Sequence, residues 1–329
     1  MNDLAIDPLT NGRLADGEAI LEQALTASRA AGASGAGVIS MNLAMISIQR
    51  GFPDRAEPRL RESIETFRRS KSRRLGVAVL SLAQALSELG RREEARRSLD
   101  EAFDLLHAAG DDGALSHALR TRGDDELRAG RLEPAEQTAA ELEAQAKRSG
   151  DRLPLGLSNR LRGEIAAASG DFPEAQRRFG EARRQFLENA DRDEAADLDV
   201  VWAEAAFRFG ELTVADECAR RVRPDPSAAI ESNSQFLAEV TLIRIDARAG
   251  RGATSAPSLA TLEAIAAGST SVRRQLGLLR AGAAVAAAAG DVNAARRDLK
   301  SASFLARRAG SPTEALELER ELAANPGTR

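Results

Sequence analysis

The sequence predicts an all-α solenoid of about eight helix-turn-helix repeats. Three observations support this prediction: a glycine that returns at a nearly constant interval, small side chains at fixed distances from it, and a composition rich in helix formers and poor in strand formers. Because each repeat of a solenoid packs only against its neighbours, a chain of 329 residues needs no single large core.

A turn glycine returns in every repeat. Its period is about 40 residues along the whole array, too regular for 26 glycines placed at random. Glycine suits the turn because it adopts the left-handed backbone conformation that ends a helix. The eight turn positions are Gly12, Gly51, Gly90, Gly130, Gly170, Gly210, Gly250 and Gly290. Midway between turn positions, the glycines expected to close the second helix are Gly32, Gly110, Gly150 and Gly310.

Small side chains recur at fixed distances from the turn glycine. Such residues let two helices approach closely, and they predict a seam between the helices of each repeat. Five residues after the glycine, the sequence has Gly17, Ala56, Ala95, Ala135, Ala175, Ala215, Ser255 and Ala295. Seven residues before it are Ala44, Ala83, Gly123, Gly163, Ala203 and Ala283, with Ile243 as the exception.

Two stretches depart from this pattern. Pro224 and Pro226 are expected to shorten the second helix of the sixth repeat, because proline cannot continue a helix. The seventh repeat opens with an Ala/Ser/Thr/Pro segment over 251–257 in place of an acidic helix start. We therefore expect irregular or mobile backbone across residues 223–258.

The two ends of the array differ. At the C-terminus, Ser311, Pro312 and Glu314 form a helix-start signature, which predicts a capping helix over 311–325. At the N-terminus, the segment before the first turn glycine, 1–11, is too short for a full first helix. Residues 1–11 then form a partial cap, or the chain continues upstream, or this end is buried against another subunit of a homo-oligomer. The prediction is one superhelical domain over 1–329, with repeats in 12–310.

Two turn segments resemble a known repeat. Residues 170–175 (GDFPEA) and 90–95 (GRREEA) combine the turn glycine, an acidic helix start and the small residue five places on. They resemble the tetratricopeptide repeat (TPR) family, whose usual period is about 34 residues. The longer period here is similar to arrays attached to bacterial transcription regulators, signalling ATPases, cyclases and caspase-like CHAT proteins. The resemblance covers roughly residues 12–310 and implies a right-handed superhelix.

The same resemblance implies a binding face. In this family the first helix of each repeat lines a concave groove that binds a protein or peptide partner. The groove predicted here is apolar toward the N-terminal end and rich in arginine farther along, which favours hydrophobic anchors and arginine hydrogen bonds. The predicted partner-binding positions are Met41, Met45, Ile48, Leu80, Gln84, Arg120, Asp124, Arg128, Arg160, Glu164, Glu204, Arg208, Arg244 and Arg248.

Each part of this groove has a second interpretation. Met41, Met45 and Leu80 are either anchors for a partner or core residues packed between helices. The charged pairs are either groove contacts or ion pairs within one helix, which contribute only about 0.3–0.5 kcal/mol. These pairs are Arg120 with Asp124 and Arg160 with Glu164.

Composition argues against several classes of function. A net charge of −4 gives no bulk attraction to nucleic acid or to anionic lipid. His107 and His117 are the only histidines and Cys218 is the only cysteine, so no catalytic residues, metal site or cofactor are expected. With no secretory signal and no apolar stretch long enough to span a membrane, the expected location is the cytoplasm.

The sequence therefore predicts a protein–protein interaction scaffold or adaptor rather than an enzyme. The alternative is a regulatory sensor arm that binds a small ligand or signal peptide in a bacterial signalling or transcription-regulator system. Neither nucleic acid nor a membrane is expected as a partner. Because the chain has a single tryptophan, a change in Trp202 fluorescence on binding a small solute would favour the sensor.

Overall fold

The computed structural model describes residues 13–31, 35–223, 225 and 227–324. The predictions that lie outside these residues concern the partial cap over 1–11, the turn at Gly12, the helix end at Gly32, and the prolines Pro224 and Pro226. Within the described residues there are sixteen helices and no strand, which confirms the all-α prediction. The helices are α1 (Leu14–Ala30), α2 (Ala36–Gln49), α3 (Pro53–Ser70), α4 (Leu75–Glu88), α5 (Arg92–Ala109), α6 (Asp112–Arg128), α7 (Leu132–Ser149), α8 (Leu153–Ala168), α9 (Phe172–Glu188), α10 (Arg192–Phe209), α11 (Leu212–Val222), α12 (Asn233–Arg248), α13 (Gly252–Ala266), α14 (Val272–Ala288), α15 (Val292–Arg308) and α16 (Pro312–Ala324).

Each described turn inside a repeat contains the glycine that the period predicts. The φ angles of these glycines lie between 74° and 88°, in the left-handed region. Around Gly90, its own N–H donates to the carbonyl of Ser87 (3.0 Å), and the N–H of Arg91 donates to the carbonyl of Leu86 (2.9 Å). This pair of bonds satisfies carbonyls that the end of a helix would otherwise leave unpaired. The glycines are Gly51, Gly90, Gly130, Gly170, Gly210, Gly250 and Gly290.

Five second helices, α3, α5, α7, α9 and α15, are followed by a left-handed residue, which is not always a glycine, whereas α11 is followed by Arg223 with a φ angle of −121°. Gly110, Gly150 and Gly310 have φ angles of 65°, 72° and 72°, as the sequence predicts. Lys71 and Ala190 take the equivalent places and have φ angles of 52° and 61°. At these five places the turn between repeats holds a left-handed residue even where the side chain disfavours that conformation.

Small residues line the seams between helices, as predicted. At Gly163, a Cβ atom would lie 2.6 Å from the ring of Phe179, and at Gly123 it would lie 2.6 Å from a methyl group of Leu161. Only glycine lets these helices come so close, because interiors are packed too densely to absorb an added methyl group. The alanines five residues after the turn glycine are also buried: Ala56, Ala95, Ala135, Ala175, Ala215 and Ala295.

The helices stack as a helical repeat. Neighbours along the chain pack against each other, for example α4 with α5 and α8 with α9. In addition, α2 contacts α4 and α8 contacts α10, so the first helices of successive repeats touch directly. Helix pairs that stack on the next pair in this way define an α-solenoid. The fold class is therefore the one that the turn glycines and small seams predict.

The sixth and seventh repeats confirm one half of the predicted irregularity and correct the other. The second helix of the sixth repeat, α11, has 11 residues, compared with 17 in α9. The described residues of 223–232 form no helix. The irregular backbone expected at the start of the seventh repeat is wrong, because residues 252–258 belong to α13, while mobility there remains a prediction. A Cβ on Gly252 would lie 2.5 Å from that of Ala288, so close packing on α14 holds this helix despite Pro257.

The helices form two compact units. Unit 1 comprises Met1–Leu115 with two later segments, Ala229–Asn233 and Gly268–Arg274. Unit 2 comprises Ser116–Ala228, Ser234–Ala267 and Gln275–Arg329. One superhelical domain over the whole chain remains a prediction.

The later segments of unit 1 bind the turns of its early repeats. The hydroxyl of Ser269 donates to the carbonyl of Gly51 at 2.6 Å. The guanidinium carbon of Arg274 lies 5.2 Å from the centre of the Phe52 ring, and burial lowers the pKa of Arg274 to about 10. A Cβ on Gly51 would overlap the guanidinium of Arg274. This contact therefore requires glycine at the turn for a second reason, independent of its φ angle.

Candidate binding surface

The predicted apolar positions of unit 1 divide between core and surface. Met41 and Leu80 are each 4% exposed and belong to the core. Met45, one helical turn after Met41, is 41% exposed. Ile48 and Gln84 are half-buried. Of these five positions, Met45 is therefore the one with a large apolar surface that a partner could reach.

The predicted charged positions of α6 and α8 meet in one cluster of unit 2, which we call the Glu194 network. Arg120 lies 3.3 Å from Asp124, and Nε of Arg160 donates to Glu164 at 3.0 Å. The alternative of ion pairs within a helix is thus present at both places. Both arginines also reach a third carboxylate, Glu194 on α10, at 3.6 and 3.7 Å.

Glu194 holds this network together across three helices. Its carboxylate also lies 3.4 Å from Nδ1 of His117. Burial opposes ionisation of Glu194, but Arg120, His117 and Arg160 together outweigh it and lower its pKa to about 2. The side chain of Arg160 is only 6% exposed, and its nearby carboxylates raise its pKa further above the ordinary value, although burial opposes this. Both groups are therefore charged at neutral pH.

A second cluster of unit 2, the Glu204 network, brings together first helices of the later repeats. Glu204 on α10 pairs with Arg244 on α12 and with Arg280 on α14, the latter at 3.3 Å. Burial raises the cost of ionising Glu204, but Arg244, Arg280 and Arg208 outweigh it and lower its pKa. Seven of the predicted positions are thus partners of one another or of a neighbouring carboxylate. They are Glu204, Arg208 and Arg244 in this network, and Arg120, Asp124, Arg160 and Glu164 in the Glu194 network.

The acidic face of α16 completes the Glu204 network. Glu314 lies 3.3 Å and Glu317 3.9 Å from Arg280, and Glu317 also pairs with Arg208. Glu321 lies 3.9 Å from Arg244. Glutamates three and four residues apart share one face of a helix, so α16 presents this whole face to arginines from three different first helices.

Two predicted arginines remain exposed, and one of them lies beside an aromatic ring. Arg208 and Arg248 are both exposed, and the guanidinium carbon of Arg248 lies 5.5 Å from the centre of the Phe207 ring. Arg244 lies over the same ring at 4.2 Å. Arg128 is half-buried, and its backbone carbonyl accepts a hydrogen bond from Thr313 at 3.1 Å. Arginine beside an aromatic ring is a frequent composition of interaction hot spots.

Sequence reasoning missed the carboxylates that tie the networks together. Glu194 and Asp197 are three residues apart and so share one face of α10. The spacing of Glu314, Glu317 and Glu321 was a similar signal, but nothing local in the sequence connects them to arginines of earlier repeats, such as Arg280 and Arg208. These contacts depend on how the helices stack.

The residues suited to chemistry lie apart. Among the described residues, no group of three or more His, Cys, Asp and Glu side chains could hold a metal ion. Cys218 is buried, and burial raises the pKa of its thiol to about 12, so the thiolate nucleophile is scarce at neutral pH. Over the described ranges, no helix combines the length and apolarity needed to cross a membrane.

Comparisons with known proteins add little beyond the fold. No protein-family model matches the chain. No curated protein sequence matches it either. Among solved structures, the TPR domain of P58(IPK) is 14% identical, with 99% of this chain and 98% of that chain covered, at a TM-score of 0.27. The fold assignment rests on the helices of this chain and their packing.

Proposed function

We propose that this protein is an interaction scaffold that binds a protein partner through the first helices of unit 2. The observation that supports the proposal is the position of α16. Its acidic face lies against Arg208, Arg244 and Arg280, which belong to three separate repeats. A row of arginines that holds one acidic helix has the geometry to hold an acidic segment of another protein.

The proposed contact point is the exposed edge of this row, where Arg248 shares the Phe207 ring with Arg244. Arg208 and Arg248 are exposed, although Arg208 pairs with Glu317, whereas Arg244 and Arg280 are buried and paired. Guanidinium groups bind carboxylates through two parallel hydrogen bonds and stack on aromatic rings such as Phe207. The partner that fits is a protein segment with carboxylates near an apolar side chain. We also propose a bacterial cytoplasmic setting, supported by the single cysteine and the excess of arginine over lysine.

The test compares two charge reversals on exposed arginines. The purified chain, Arg248→Glu and Arg148→Glu are each used to capture proteins from lysate of the source cells, with quantitative mass spectrometry as the readout. Arg148 is exposed near the end of α7 and belongs to neither network. We expect a protein that the wild type and Arg148→Glu retain equally and that Arg248→Glu loses by about tenfold or more.

Circular dichroism establishes that all three proteins have the same helicity. Identical capture by all three would refute a role for this arginine row. Capture of nothing beyond what an unrelated helical-repeat protein retains would argue against the scaffold function itself.

A further inference from the structure

A depression of about 570 Å³ lies on unit 2, between α9, α10 and α11. It lies on the outer side of α9, near α11, the shortened second helix of the sixth repeat, which ends at Val222. Leu187 is 47% exposed at the rim. The depression therefore has an apolar side chain at its edge that a ligand could reach.

The floor of the depression carries an excess of positive charge. Asp199 is buried and accepts hydrogen bonds from Nε of Arg183 (3.1 Å) and from Arg221 (2.7 and 2.9 Å). One carboxylate therefore faces two guanidinium groups. Arg183 uses only Nε for these bonds, so its terminal nitrogens remain as donors within the described part of the chain. An anion bound here would be met by charge-assisted hydrogen bonds.

At the rim of the depression, one carboxylate again faces two arginines. Glu188 accepts from Arg184 at 3.0 Å and also pairs with Arg152. Arg184 is exposed, and the pair that it forms lies within one helix and is weak. Across floor and rim, two carboxylates are shared among four arginines. The local charge is therefore about +2, in contrast to the net charge of −4 of the whole chain.

An indole ring forms the apolar wall. Trp202 packs on Phe179, with 5.9 Å between ring centres, and the guanidinium carbon of Arg221 lies 5.4 Å from the indole ring centre. The indole Nε1–H is buried and has no hydrogen-bond partner among the described residues. At Gly180, an added Cβ would meet no atom within 4 Å, so the space beside the wall is open. Apolar walls with a few convergent polar groups are typical of small-molecule sites.

We propose that this depression binds a small organic anion with an apolar body. Its carboxylate or sulfonate accepts from Arg183 and Arg184, and its apolar part lies over Gly180 against Trp202 and Leu187. The site goes beyond the scaffold function, because it shares no residue with the arginine row. It would supply the ligand site of the sensor arm that is the alternative function of the chain.

The direct test uses 4-phenylbutyrate and its uncharged amide as probes. Binding is measured by isothermal titration calorimetry and by fluorescence of Trp202, the only tryptophan. We expect the acid to bind with a change in Trp202 emission, and the amide to bind about tenfold more weakly or less. Equal binding of acid and amide, or no binding of the acid at about 10 mM, would overturn the proposal.

Variants then locate the bound probe. Gly180→Leu fills the open space and replaces glycine by a better helix former, so folding is preserved while binding is lost. Arg184→Gln weakens binding of the acid about fivefold or more, whereas its matched control, Arg177→Gln on the same helix, changes it less than about twofold. Unchanged binding by Gly180→Leu and by Arg184→Gln would place the probe elsewhere and refute the site. If Gly180→Leu fails to fold, the two arginine variants decide.

The two proposals fail independently. Arg248→Glu should leave binding of 4-phenylbutyrate intact, and Gly180→Leu should leave capture of a protein partner intact. Loss of probe binding in Arg248→Glu at unchanged helicity would contradict a separate site on α9–α11.

Discussion

One position of the repeat has apolar side chains in unit 1 and, in most repeats, arginine in unit 2. Ten residues before the turn glycine, unit 1 has Met41 and Leu80, and unit 2 has arginine in three of its five repeats. All of these positions are buried except Arg120, which is half-buried. The residues at this position in unit 2 are Arg120, Arg160, Val200, Val240 and Arg280.

This difference shows that the residues that determine the backbone are not the residues that determine the chemistry of the first helices. The turn glycine and the small seams are the same in both units, and they bury this position whatever side chain it holds. A methionine there needs only apolar neighbours, whereas a buried guanidinium needs carboxylates to offset the cost of desolvation. In unit 2 these carboxylates come from other first helices. Glu194, on the first helix of the following repeat, pairs with Arg160, and Glu204, on the first helix of an earlier repeat, pairs with Arg280.

The largest expected effect comes from giving unit 2 the residue that unit 1 uses. Arg160→Met has a side chain of similar length, but it removes the arginine that pairs with Glu164 and one of the two arginines that Asp124 and Glu194 share. We expect a loss of about 3–5 kcal/mol in the free energy of unfolding, because breaking a buried network strands its remaining charges. Urea unfolding followed by Trp202 fluorescence, which reports on unit 2, measures this loss.

A matched substitution on the surface tests whether burial is the cause. Arg148→Met removes an exposed arginine and should change stability by less than about 0.5 kcal/mol. If Arg160→Met unfolds at the wild-type urea concentration, buried charge does not distinguish unit 2 from unit 1, and the comparison fails.

The second-largest expected effect is a loss of stability of unit 2 in acid. The corresponding residues of unit 1, Met41 and Leu80, do not titrate. Glu194 has a folded pKa of about 2, below the ordinary value of 4.5, so its stabilising contribution is complete above about pH 5 and is lost as pH falls toward 2. A lowering of this size corresponds to about 2–3 kcal/mol after allowance for the partial exposure of the network. The measurement is the gap in unfolding free energy between wild type and Glu194→Gln from pH 6 to pH 2.

That gap should shrink as pH falls, since both proteins then carry an uncharged residue at position 194. The exposed Glu133 on α7 provides the control, and Glu133→Gln should show no such convergence. A gap that stays constant with pH would mean that Glu194 acts through packing and not through its charge.

The fold was predictable because its signals are local and periodic. A turn such as Gly90 is specified by the glycine, its φ angle and two hydrogen bonds within six residues, all of which a single repeat contains. Burial of Met41 and Leu80 follows from the same period, although the sequence left open whether they were anchors or core. The prediction of irregular backbone for 252–258 was wrong because packing of Gly252 on Ala288 outweighs the poor helix start.

The site was less predictable because its contacts join distant repeats. The pairs of Arg120 with Asp124 and of Arg160 with Glu164 could be read from spacing, but their connection through Glu194 depends on the register between helices. An error of one or two residues in that register changes which side chains meet. The hydrogen bond from Ser269 to Gly51 joins two segments far apart in the chain and has no local signal at all.

The smallest expected effect tests a feature that the units share. Lys71 in unit 1 and Ala190 in unit 2 hold the left-handed conformation that Gly110 and Gly150 hold elsewhere. A left-handed residue other than glycine costs about 1–2 kcal/mol, partly offset by the greater freedom of glycine in the unfolded chain. We therefore expect Ala190→Gly and Lys71→Gly each to raise the free energy of unfolding by about 0.5–1 kcal/mol, measured by thermal and urea unfolding.

Gly150→Ala is the reverse control: a Cβ there meets no atom within 4 Å, so only the backbone conformation is changed, and stability should fall by a similar amount. If Ala190→Gly destabilises unit 2 while Gly150→Ala is neutral, the ends of the second helices are set by packing of their side chains, and the repeat does not depend on a left-handed residue at the end of each unit.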